Sequence, residues 1–206
     1  MLALVVICGS RMFLLLQLFH WLNSGSPLPL CHFEPRWACS VEMSRKRMRA
    51  EEIHYWLMKS EPHKFSIDDL AKQKVSPWDG VRNYAARNNM CAMSVGDKIL
   101  FYHSNTKEPG VAGLAEVVRL AYSDFTALDK TSEYFDPKAT EEKNPWKMVD
   151  VKFVAKWDTV LTLHEMKSKR ELQKMALFTQ SRLSVQPVSA SEYALILRMN
   201  GGQKRK

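Results

Sequence analysis

The stretch Trp78-Asp79-Gly80-Val81-Arg82-Asn83-Tyr84-Ala85-Ala86-Arg87-Asn88 packs an indole, two amides, two guanidiniums and a phenol into eleven residues. Asp79-Gly80 is a turn signal, and the run that follows, with Ala85 and Ala86 at its centre, suits a helix that carries these groups out of the turn on a rigid element. On that helix Asn83 and Arg87 are four apart, as are Tyr84 and Asn88, so each pair shares a face. An amide and a guanidinium beside a tryptophan form a chemical kit for a planar, hydrogen-bonding, charged ligand such as a nucleobase next to its phosphates. The same residues also suit a structural role, with Arg82 and Arg87 paired to carboxylates while Trp78 and Tyr84 fill a core.

Working outward, His54 opens the ordered body. Tyr55-Trp56-Leu57-Met58 reads as a first strand that leaves through Lys59-Ser60-Glu61-Pro62 into a turn. Ser66-x-x-Asp69 is a capping box for a short helix to about Lys72, with Ile67 and Leu70 inward. The helix of the quoted stretch is expected to reach about Met93. Val95-Gly96-Asp97 then turns the chain into a strand over 98–104, Pro109-Gly110 turns it again, and 111–121 forms the next strand, where Gly113 signals a bulge or a close backbone approach. Residues 122–147 are the least regular part of the body, broken by Asp136-Pro137 and Asn144-Pro145, and a loop of that length could flank a site. Residues 148–157 alternate as a half-buried strand. Thr162-x-x-Glu165 caps a helix toward Met175, Leu177-Phe178 and 183–186 read as strands with Pro187 ending the second, and Ser189-x-x-Glu192 caps a last helix that stops before Gly201-Gly202. Five or six short strands with interspersed short helices predict an α+β domain whose sheet curls toward a barrel.

Length and composition bound the rest. The chain has 206 residues, 46% of them hydrophobic, enough for one domain of about 150 residues with appendages. Of the net charge of +8, residues 1–42 contribute nothing, 43–53 contribute +2 through Arg45, Lys46, Arg47 and Arg49 against two glutamates, 54–198 contribute +3, and Lys204, Arg205 and Lys206 supply the remainder. Basic tails suit nuclear import or phosphate contact, whereas a body at +3 argues against a protein that coats nucleic acid by charge alone. Residues 1–22 are apolar but interrupted by Gly9-Ser10-Arg11, too short on either side to span a membrane, and 23–42 show no periodicity. Met43 resembles a second natural start, so 1–42 are expected to be a disordered extension from an upstream start, with no membrane anchoring. Cys91 alone in the body, with no Cys-x-x-Cys and no metal-ligand histidine spacing, predicts neither a disulfide nor a metal site, and no cofactor is expected.

No nucleophile stands beside a base with a recognisable signature. Asp68-Asp69 and Glu141-Glu142 are more simply a helix N-terminus and a solvated loop, so a binding protein is expected rather than an enzyme. The aromatic groups available to hold a base are Trp56, Trp78, Tyr84 and Tyr102. Lys59-Ser60 and His103-Ser104 stand at strand ends where a pocket mouth could form, and Arg182, Ser184 and Gln186 share one face of a strand.

YWLMKSEP at 55–62, WDGVRNYAARN at 78–88, GDKILFYHSN at 96–105 and RLSVQPV at 182–188 closely resemble the EVE domain family over roughly residues 54–198. The resemblance implies a PUA-like pseudo-barrel related to YTH and ASCH domains, with a pocket for a modified base. For the animal members it implies a nuclear location and affinity for modified cytosines in DNA, 5-hydroxymethylcytosine among them; an RNA reader of YTH type or a scaffold domain is the alternative. Carried onto this chain, it makes Lys59 and Ser60 rim groups and Trp78 an aromatic wall. Asn83 and Arg87 become polar readers, Tyr102, His103 and Ser104 strand-borne contacts, and Arg182, Ser184 and Gln186 the opposite side. The basic leader, Arg45 to Arg49, is shorter than the animal members lead one to expect, and residues 1–42 have no counterpart in the family. Protein partners and oligomeric state have no signal in the sequence.

Overall fold

Side chains in a strand alternate between two faces, and in this chain both faces are apolar, so the central sheet carries a separate core on each side. The structure, a computed structural model, describes residues 53–203. The expectations for the N-terminal extension, the basic segment at 45–49 and the last three basic residues fall outside these. The elements in chain order are β1 (Tyr55–Ser60), α1 (Ile67–Gln73), β2 (Val75–Trp78), α2 (Tyr84–Cys91), β3 (Lys98–His103), β4 (Gly110–Ser123), β5 (Lys147–Thr162), α3 (Leu163–Lys167), α4 (Ala176–Thr179), β6 (Val185–Val188) and α5 (Ala190–Gln203), with single 3-10 turns at Phe125–Ala127 and Arg170–Leu172. The six strands run in the order β2-β5-β4-β3-β1-β6. β1 and β3 are parallel and every other pair is antiparallel. This is the expected mixed α+β architecture.

One core gathers Trp56 and Met58 of β1, Ile99 and Phe101 of β3, Val149 and Val151 of β5, and Val185 of β6 around Ile67, Leu70, Ala86 and Met90 of α1 and α2. The other takes the alternate residues, Leu57, Leu100, Tyr102 and Leu161, and covers them with Met166, Leu177 and Ile196 of α3, α4 and α5. All six strands supply the first core, so the sheet wraps around it. Helix α2 packs on β4, β5 and β6, and Asn89 Nδ2 donates to Val185 O at 2.7 Å. In this way α2 closes the gap that the two edge strands leave.

All three capping boxes form as the sequence indicates: Ser66 with Asp69, Thr162 with Glu165, and Ser189 with Glu192. Gly113 sits beside the bulge. Phe101 pairs with Gly113 and Tyr102 with Val111, leaving Ala112 as the extra residue, and a Cβ on Gly113 would lie 2.4 Å from Ala155 O.

Several boundaries differ from expectation: the helix capped by Thr162 ends at Lys167 rather than near Met175, and the strand expected over 148–157 runs on to Thr162. Val75–Trp78 is a strand rather than a lead-in, and β6 continues through Pro187 to Val188 instead of stopping there. Both prolines lie in the two edge strands, where a missing N–H removes no inner ladder bond. Leu177-Phe178 is helical, within α4, because a short apolar pair has no period that separates strand from buried helix. Helix α5 passes through Gly201-Gly202, since a glycine costs a helix about 1 kcal/mol without forbidding it.

Candidate functional site

A cleft of about 840 Å³ opens where the C-terminal ends of β1 and β3, the end of β2 and the segment before β6 meet. That volume suits a small-molecule or single-nucleotide ligand. Seven of the expected site residues line it: Lys59, Ser60, Trp78, Tyr102, Ser104, Arg182 and Ser184. Their convergence follows from topology. The parallel pairing sets Lys59 beside Tyr102 and Ser60 beside His103, and the antiparallel β1–β6 pair brings the 181–184 segment to the same end.

Local hydrogen bonds fix this rim. Lys59 N donates to Ser184 O at 2.8 Å and Lys59 Nζ donates to Ser181 O at 2.8 Å. The ammonium also lies 5.9 Å from the centre of the Tyr102 ring. Burial lowers the Lys59 pKa and pushes the Tyr102 phenol up to about 12, so Tyr102 is a neutral hydroxyl at any physiological pH. Ser60 Oγ donates to Phe65 O at 2.6 Å, and Ser104 N donates to Ser60 O at 2.8 Å. Arg182 is exposed, and its guanidinium has no carboxylate partner among the described residues.

Trp78 lines the cleft with a small part of its surface. The indole is only 7% exposed, standing perpendicular to Phe101 at 5.4 Å and to Phe65 at 6.3 Å. A more open ring comes from Tyr134 in the irregular 124–146 loop, which also lines the cleft, against Gly80. Gly80 makes room for it. With φ at +70° and a would-be Cβ only 2.8 Å from the Tyr134 ring, this position accepts no larger residue without displacing that wall.

Four expected site residues do not line the cleft. Asn83 is the N-cap of α2, its Oδ1 accepting from Ala85 N and Ala86 N at 2.8 and 3.1 Å, which satisfies helix donors rather than a ligand. Arg87 lies one turn further along, donating to Pro145 O at 2.7 Å and to Asn88 Oδ1 at 2.9 Å while covering the Tyr84 ring. The expected convergence of residues 78, 83 and 87 therefore does not occur, because α2 turns away to close the sheet. His103 and Gln186 support the rim from behind. His103 Nε2 accepts from Ile67 N at 3.2 Å, at the start of α1. Gln186 is fully buried, and its Nε2 donates to Gln180 O and Leu183 O at 3.0 and 2.7 Å, which holds the segment carrying Arg182.

The His103 contact has a pH signature. Burial lowers its pKa below the usual histidine value of 6.5, outweighing the nearby Asp68 carboxylate. The unfolded chain then binds the proton first, so stability is full above pH 6.5 and falls as the pH drops from there to the folded-state pKa. Replacing His103 with asparagine is expected to flatten that part of the profile, measured as melting temperature between pH 8 and 5.5.

Three of the lining residues that sequence reasoning passed over matter most to the chemistry: Lys64, Asp79 and Tyr134. Asp79 reads as a turn former, Tyr134 is one aromatic in a long loop, and Lys64 carries no signal at all. Behind them lies a pair the composition only hints at. Arg82 Nη1 donates to Asp124 Oδ2 at 2.7 Å, and Asp124, with no exposure, also accepts from Gly80 N, Thr126 N and Thr126 Oγ1. Arg82 Nε donates to Tyr134 O at 2.7 Å, and its guanidinium lies 5.9 and 5.5 Å from the Tyr134 and Trp146 ring centres. This latch, an ion pair with its carboxylate fully buried, joins the 79–82 turn to the loop that carries Tyr134.

Comparison with known proteins agrees with this architecture. The EVE domain family model matches residues 54–199. Human thymocyte nuclear protein 1 is 43% identical over 164 residues, covering 70% of this chain and 73% of the human protein. Among solved structures, a hypothetical protein from Leishmania major is 90% identical with a TM-score of 0.75, covering 76% of this chain and 99% of that one. The human THYN1 protein in complex with 5-methylcytosine-containing DNA is 42% identical with a TM-score of 0.69, covering 71% and 97%. Since the family model spans all six strands and the relatives keep their similarity over most of their own length, the chain belongs to the EVE domain family.

Proposed function

We propose that this protein is a nuclear, non-catalytic reader of DNA, binding a single modified cytosine in the cleft between Trp78 and Tyr134. One observation carries the reading. A cleft sized for a nucleotide combines aromatic walls with cations, Lys59, Lys64 and Arg182, on its lining, in a family one member of which is solved with 5-methylcytosine-containing DNA. In this reading the base lies against Trp78 and Tyr134, and Ser60, Tyr102, Ser104 and Ser184 hydrogen-bond its edge and sugar. Lys59 and Arg182 hold the flanking phosphates. Asn83, Arg87, His103 and Gln186 shape the elements around the site. Ser60 Oγ donates to Phe65 O and His103 Nε2 accepts from Ile67 N, so neither is engaged with the other as a nucleophile and base would be. Nuclear placement is supported by the name of the human relative, and no described helix is long and apolar enough to cross a membrane.

The test is a panel of duplexes with one central cytosine, 5-methylcytosine or 5-hydroxymethylcytosine, titrated at several salt concentrations. The parent protein is expected to prefer a modified duplex. Arg182→Ala is expected to weaken all duplexes alike and to lower the salt slope by roughly 1, as loss of one phosphate contact does. Equal affinity for every duplex would point to a scaffold. Tighter binding of matched modified RNA would point to an RNA reader, and a converted base in mass spectrometry to an enzyme.

A further inference from the structure

The lining of the cleft is rich in hydrogen-bond donors: three cationic side chains and several hydroxyls. The cations only donate and favour the carbonyl oxygens of thymine and uracil, while a neutral hydroxyl can turn either way. A pocket that takes cytosine needs an acceptor for the exocyclic amine, the group that separates 5-methylcytosine from thymine, its near-isostere. Two carboxylates line the cleft, Glu61 and Asp79. Glu61 is occupied, accepting from Asn105 Nδ2 at 3.2 Å with His63 Nε2 at 3.3 Å. Asp79 differs. It follows the wall residue Trp78 directly, is half-buried, and its carboxylate meets only its own backbone N–H, with no hydrogen bond or ion pair to another described residue. Burial raises its pKa and the Asp124 charge adds to this, against a smaller opposite pull from its own backbone N–H and from Arg82.

We propose that Asp79 is the specificity-determining residue of the cleft, accepting a hydrogen bond from the N4 amine of a cytosine-class base and repelling the O4 carbonyl of thymine or uracil. This rests on the base-pocket reading above. It assigns the turn residue of the 78–80 segment a second task, with Gly80 and the Arg82–Asp124 pair fixing its position. Selection then works by attraction to one base and by repulsion of the other.

The test uses duplexes with a single 5-methylcytosine or thymine opposite an abasic site, so that extrusion breaks no base pair, and a control with abasic positions on both strands. Affinities are measured by fluorescence anisotropy at fixed salt for the parent, Asp79→Asn and Asp79→Ala. The parent is expected to favour 5-methylcytosine over thymine by about 5- to 100-fold, the range of one good base contact. Both variants should bring that ratio to near unity, and they should bind the thymine duplex more tightly than the parent does. A merely structural role for Asp79 would weaken both duplexes together. If the parent prefers 5-methylcytosine and both variants keep that preference, or if the parent binds both bases equally but better than the control, the Asp79 assignment is overturned while the base pocket stands. If the parent binds all three duplexes equally, the base pocket itself falls. Should neither variant fold, the parent's ratio still decides whether the cleft selects against O4.

Discussion

Replacing Asp124 with alanine is expected to cost about 3–5 kcal/mol of folding stability, the usual penalty for removing one partner of a buried ion pair. For a domain of this size that lowers the melting temperature by roughly 6–20 °C. The size of the effect comes from what is left behind. Arg82 would keep its charge in a largely enclosed site between two aromatic rings, and Gly80 N, Thr126 N and Thr126 Oγ1 would lose their acceptor at one stroke. Because the pair joins the 79–82 turn to the Tyr134 loop, proteolysis of that loop and loss of base-dependent binding should accompany the fall in stability. Arg82→Ala should give the same phenotype, and the double variant much less than the sum of the two, since both act on one interaction. Thermal unfolding of the three variants checks this.

Trp78→Ala is expected to be comparably damaging, for a different reason. The indole packs edge-on to Phe65 and Phe101 within the first core, so truncating it removes about 3–5 kcal/mol of stability, as large aromatic deletions do. Any stacked base would lose a further 1–3 kcal/mol or about that of binding free energy. The two effects are separable with Trp78→Phe, which retains a ring in the core. That variant should recover most of the melting temperature while binding a modified duplex more weakly than the parent, and calorimetry with parallel titrations reads both.

Much of the fold was legible because local signals agreed with tertiary need. The three capping boxes, the turn at Gly96 and the alternation in 148–157 each report a local hydrogen bond or a period, and each is realised in the structure. Edge strands were harder. Val75–Trp78 and Val185–Val188 both contain proline, and only the sheet order explains why it is tolerated there. The site was legible in part for the same reason. Lys59, Ser60, Tyr102 and Ser104 lie at strand ends that parallel pairing brings together, a relation that strand assignment already suggests.

Asn83 and Arg87 mislead because a helix face shared in sequence says nothing about which neighbour that face meets. Here it meets Pro145 and the N-terminal amides of its own helix. Tyr134 reaches the cleft through contacts between positions more than fifty residues apart, with Arg82 bonding its carbonyl and Gly80 yielding space to its ring. No periodicity records such a contact.

The most direct measurement of the base-pocket account is a nitrogen–proton NMR titration of the labelled protein with a duplex carrying one 5-methylcytosine, against the unmodified duplex. The Trp78 indole and the backbone amides of residues 59, 60, 102, 104, 182 and 184 are expected to shift more with the modified duplex, while those of 84–88 on α2 stay with the unmodified pattern. Modification-dependent shifts confined to α2, with the cleft residues unmoved, would contradict it.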